Sequence, residues 1–202
     1  MARSWSSGVK DAGELIVYND LRSGGWVHIF KIALQLFNAL GLAVKMSEAK
    51  NESGANVVMR VASGLPTYEY NGASYSSPKP FDPKRLHGYT MLLHAQDGPI
   101  EKAVVFLPSD PQSGPMFPQY ARGKAVYEKA TLDMMKVIAV HELIHACGLD
   151  DNDHAKDDGV FYFPLAPSGT GKIIVPGQGQ AKKPMPPMRI SQSTVGRVAS
   201  LW

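Results

Sequence analysis

The stretch HELIHACGLDDNDH, residues 141–154, gathers histidines, a glutamate, the chain's lone cysteine and several aspartates. His141 and His145 stand four apart, so on a helix both imidazoles leave the same face. Neutral imidazole is an ordinary zinc ligand, and two ligands on one helix pre-orient a tetrahedral site. Glu142 points slightly around the helix, within reach of a metal-bound water rather than of the metal. Zinc acidifies such a water. The carboxylate accepts its proton as the water attacks a carbonyl, then passes it towards the departing amine. The spacing HExxH therefore reads as a metal-dependent hydrolytic centre. For these histidines to be mere core residues satisfied by packing, that spacing would have to arise by accident.

A zinc site needs a further protein ligand, and two residues compete for the place. Gly148 permits a sharp exit from the helix, including positive φ. Asp151 follows His145 by six residues and can return a carboxylate under the metal. His154 is chemically better suited to zinc, but it follows His145 by nine residues and needs a wider loop. Asp150, Asp153, Asp157 and Asp158 read as solvated acids; an oxygen-rich loop of this kind leaves a calcium role open without implying one. Cys147 suits packing better than metal binding, because free cysteine behaves as a small buried hydrophobe.

The elements that must position these groups are legible around them. TLDMMKVIAVHELIHA predicts a helix over about 131–146, with Thr131 and Asp133 suited to its start. Ile138, Leu143, Ile144 and Ala146 supply apolar surface around the polar residues. Earlier, Trp26, Ile29, Phe30, Ala33, Phe37 and Leu40 recur at helical period, with Gly41 at a plausible end. ELIVY, GLAVKMSEA, NVVMRVASG, HGYTMLLH and KAVVFLP predict strands. Residues 64–87 and 159–189 predict long loops, and Ser191 caps a short final helix. GQGQ, at residues 177–180, has no strand–turn–helix context and is not a dinucleotide fingerprint.

The chain has 202 residues, enough for one domain with a proper core, and 44% hydrophobic against 19% charged residues is ordinary for a globular protein. A net charge of +3 is too mild to imply nucleic acid without a concentrated patch. Lys172, Lys182, Lys183 and Arg189 cluster in one segment but lack interleaved aromatics, so a weak nucleic-acid-binding protein is only an alternative. One cysteine excludes an internal disulfide. No stretch approaches a membrane span and no secretory signal is visible; the expectation is a cytoplasmic or non-classically delivered protein, a phage or virion component included.

HELIHACGLDD is similar to the HExxHxxGxxH signature of metzincin metallopeptidases, in the aspartate variant found in the matrixin-like branch. IFKIALQLFNALGLAVKMSEA, GANVVMRVASG, LHGYT, EKAVVFLP and RISQSTVGRVASLW resemble that family's helices and strands in the right order. The resemblance implies an α+β fold: a twisted mixed β-sheet with an active-site helix and a C-terminal helix, in a single catalytic domain over residues 1–202. It implies one catalytic zinc held by His141, His145 and Asp151, with His154 the alternative. Glu142 would be the general base of an endopeptidase, with a protein or peptide substrate extended along a sheet edge. Met185, or else Met188, would form the methionine turn beneath the metal, and Tyr162 is the nearest candidate to assist the oxyanion. A non-catalytic zinc-binding interaction or structural domain on such a scaffold is the alternative, against which the glutamate argues.

Overall fold

The computed structural model describes residues 2–22, 24–81, 88–111, 119–121, 124–126, 129–150, 188 and 190–202. The architecture is a mixed α+β fold. In chain order it runs α1 (Ser7–Ala12), β1 (Glu14–Asp20), a 3-10 turn (Gly24–His28), α2 (Phe30–Asn38), β2 (Lys45–Glu48) and β3 (Val57–Ala62). Then come β4 (Thr67–Tyr70), β5 (Ala73–Ser76), β6 (Tyr89–His94), β7 (Ile100–Pro108), β8 (Gln119–Ala121) and β9 (Lys124–Val126). The helices α3 (Leu132–Ala146) and α4 (Gln192–Leu201) complete the described chain.

Five strands form the main sheet in the order β2-β1-β3-β7-β6. The first three pairings are parallel; β6 runs antiparallel to β7, with Tyr89 opposite Phe106 and Leu92 opposite Ala103. Strand β7 is apolar on both faces, as a strand covered on both sides must be. Ala103, Val105 and Leu107 join the cluster shared with α2 and α3, whereas Val104 and Phe106 join a second cluster. The period of two along the strand divides the core in this way.

Helix α2 buries Phe30, Ala33, Leu34 and Phe37. Each aromatic ring removed from water contributes about 2–3 kcal/mol, which fixes the helix on the sheet and on α3. The predicted helix from Trp26 is split: the backbone first makes the 3-10 turn, in which the Trp26 indole donates to the Pro108 carbonyl at 2.7 Å. Both predicted caps are present. Thr131 accepts from the Met134 amide at 3.3 Å, and Ser191 from the Thr194 amide at 3.1 Å.

The expected loop from residue 64 contains a hairpin. Tyr68 and Tyr70 lie on β4 and Tyr75 on β5, joined at Asn71 and Gly72, which take φ of 49° and 76°. Those angles are the positive-φ pair that a two-residue hairpin turn requires, and Asn-Gly is its sequence signature. The hairpin covers the second cluster. There the Tyr68 hydroxyl donates to Glu52 Oε1 at 2.6 Å, and Arg60 lies over the Tyr68 ring at 5.0 Å. Buried Lys102 donates to the Glu52 carbonyl at 3.0 Å, and burial lowers its amine pKa against the pull of Glu52. The short helix α1 and the pair β8–β9 carry no sequence signal that predicted them.

Candidate functional site

Helix α3 places His141, Glu142 and His145 at the end of its buried length. The segment is apolar on nearly every side, so its polar residues are held in place by core packing rather than exposed on a surface stripe. Glu142 is 4% and His145 3% exposed, and His141 is half-buried. A buried polar group is costly unless it is bonded, and bonds are present for each buried one.

His145 Nδ1 lies 3.0 Å from the Leu149 carbonyl. A carbonyl can only accept, so Nδ1 carries the hydrogen and the neutral ring keeps its lone pair on Nε2. That lone pair faces His141 Nε2 at 3.1 Å, so the hydrogen between the rings belongs to His141. The ring centroids are 4.8 Å apart, with planes inclined by 67°. The i, i+4 spacing thus does bring the two imidazoles together.

Glu142 meets strand β6. The Thr90 hydroxyl lies 2.8 Å from Glu142 Oε2 and 2.9 Å from the Glu142 carbonyl. Its single hydrogen is shared between them, locking the carboxylate to the strand. Gly88 lies against the same side chain: a Cβ there would stand 2.6 Å from both Cδ and Oε1 of Glu142. Thr90 and Gly88 were not foreseen as site residues, because spacing rules along one helix say nothing about a strand some fifty residues earlier.

Gly148 adopts φ of 110°, a conformation that favours glycine, and turns the chain as its position predicted. Cys147 is fully buried, its Sγ 3.5 Å from the Leu143 carbonyl, and burial pushes its thiol pKa far up. It is the packing residue expected. Met188 packs against the main core cluster as an apolar anchor. Asp151, His154, Tyr162, Met185 and the basic residues Lys172, Lys182, Lys183 and Arg189 lie outside the described residues.

The expected zinc centre is overturned at this point. Among the described residues, no group of three or more His, Cys, Asp or Glu side chains stands together so as to hold a metal ion. His141 and His145 are brought together, but a protein zinc site takes at least three protein donors, and the described Glu142 is engaged by Thr90 instead. The zinc ion, the calcium left open beside it, the metalloendopeptidase activity with Glu142 as its general base, and the non-catalytic zinc domain fall with that donor set. So does membership of the metzincins. The motif's spacing specifies the face shared by two rings; it does not by itself supply the third donor. Comparison with known proteins offers no other assignment: no protein-family model matches the chain, and no curated protein matches it.

Proposed function

We propose that the protein binds an extended polypeptide segment, which adds as a strand to the outer edge of β6 beside the His141–Glu142 face of α3. The contrast between the two edges of the main sheet carries this reading. The β2 edge is four residues long and bears Lys45 and Glu48, and short charged edges resist pairing with another chain. The β6 edge is six residues long, YTMLLH, with no proline, lysine or acid. Among the described residues β6 pairs with β7 alone. Its one irregularity, a register shift between Leu93 and His94, lies at its far end and leaves Tyr89–Leu93 regular.

Main-chain hydrogen bonds would provide most of the affinity, and alternate side chains the selection. The Thr90–Glu142 bond stiffens the edge, so less order is lost on binding. Partly buried Leu92 and Tyr89 lie on opposite faces of the sheet and favour apolar or aromatic ligand residues on each face. The test is a pool of extended eight-residue peptides titrated into labelled protein and followed by NMR. Binding peptides should protect the β6 amides from exchange. N-methylating one inward amide of a binding peptide should weaken it about tenfold, the effect of one lost hydrogen bond. Binding that perturbs other elements but not β6, or that ignores N-methylation at every position, refutes the proposal, as does a pool with no binder.

A further inference from the structure

The end of α3 is held from two sides. The carbonyls of Ala146, Cys147 and Gly148, three consecutive residues, each accept a bond from a chain segment remote in sequence. The Trp5 indole donates to Ala146 at 2.9 Å, the Trp202 indole to Cys147 at 3.1 Å, and the Arg3 amide to Gly148 at 2.9 Å. Ala146 ends the helix and its carbonyl is one of those a helix leaves without intrahelical partners; Cys147 caps the helix and Gly148 follows it. The arm formed by residues 3–5 is further fixed by the Ile100 amide, which donates to the Ser4 carbonyl at 2.9 Å, and by Arg3 Nη1, which donates to the Gly98 carbonyl at 2.6 Å. Trp5 itself is 2% exposed.

The next carbonyl along, that of Leu149, is the one that holds His145 Nδ1. Gly148, between the arm's bond and that carbonyl, is the pivot. Its φ of 110° sets the direction of Leu149, and the Arg3 carbonyl occupies the space where any Cβ on residue 148 would stand. We infer that residues 3–5 form a latch whose seating on the exit of α3 sets the orientation and tautomer of His145. Displacing or proteolytically removing this arm switches the polar face of the helix. The device is asymmetric. When the arm leaves, Trp202 still holds Cys147, so the helix end stays anchored while the Gly148 pivot is freed. The inference does not rest on peptide binding, and its readouts involve no ligand.

Two variants test it: the chain shortened to begin at Ser6, and Gly148→Ala in the full chain, where a methyl takes the place of the Arg3 carbonyl. Long-range proton–nitrogen NMR reads the His145 ring, amide exchange at Ile100 reads the seating of the arm, and exchange in the β1–β3 ladder reads the fold. The expected result in either variant is loss of Ile100 protection, an intact β1–β3 ladder, and replacement of the single Nδ1–H signature by an averaged one. A parental His145 signature in either folded variant overturns the inference. Loss of the fold in both overturns it as well, since an arm that cannot leave without unfolding the protein switches nothing.

Discussion

Replacing Gly88 by alanine measures how firmly the β6 end holds the buried carboxylate. The added methyl would stand 2.6 Å from Cδ and Oε1 of Glu142, where carbon contacts settle near 3.5–4.0 Å, so the side chain must retreat by about 1 Å. Glu142 is 4% exposed, in an interior that is close-packed as protein cores are. A retreat of that size takes Oε2 from 2.8 Å to beyond hydrogen-bond range of Thr90. A lost bond to a carboxylate costs about 1.5–3 kcal/mol. Gly88 has no positive φ, so alanine also restricts the unfolded chain, which offsets about 0.4–1 kcal/mol. The net loss is about 0.5–2.6 kcal/mol, or roughly 1–10 °C in Tm for a chain of this length. The assay is urea unfolding of the parent, Gly88→Ala, Glu142→Ala and the double variant. With Glu142 shortened the methyl has room, and Gly88→Ala should become neutral or slightly stabilising. A coupling below about 0.5 kcal/mol, or a Gly88→Ala protein as stable as the parent, refutes the contact.

Tyr68→Phe removes the 2.6 Å bond to Glu52 and should cost about 1–2 kcal/mol in the same unfolding assay. Burial, then the bond and the charge of Glu52, raise the Tyr68 pKa above its ordinary value of 10.0. The unfolded chain therefore ionises first: the contribution is fully present below pH about 10 and declines as pH rises further, so Tyr68→Phe should flatten that alkaline loss. Cys147 is fully buried with a raised thiol pKa, so the native protein should resist alkylation by iodoacetamide, read by mass spectrometry, and label fully in denaturant. Trp26→Phe deletes the indole donor to the Pro108 carbonyl and leaves that buried acceptor unpaired; about 1–3 kcal/mol should be lost by thermal unfolding.

Local signals predicted local structure. The 3.6-residue period located α2, the start signals at Thr131 and Asp133 located α3, the short apolar runs located β1, β3, β6 and β7, and the hydroxyl of Ser191 marked the last helix start. The β4–β5 hairpin was equally legible, because Asn71-Gly72 flanked by tyrosines is a turn signature, but the proline, serine and glycine around it suggested a loop. At the candidate site, the pairing of His141 with His145 followed from helix geometry alone. The partners that decide what those residues do were not accessible that way. Thr90 and Gly88 reach Glu142 from another strand, and Trp5 and Trp202 reach the end of α3 from segments more than fifty residues away. A motif encodes the face it presents, whereas its surroundings are set by tertiary packing.

The seating of Trp5 also dictates an order of events during synthesis. Its acceptor, Ala146, lies 141 residues downstream. At about 5–20 residues per second, the ribosome exposes the arm roughly 7–28 s before that acceptor exists. The parallel ladder between β3 and β7 can close earlier, since both strands precede α3. Docking of the arm is therefore a late step that waits for α3, and a nascent chain stalled before residue 132 presents the apolar underside of its sheet to chaperones.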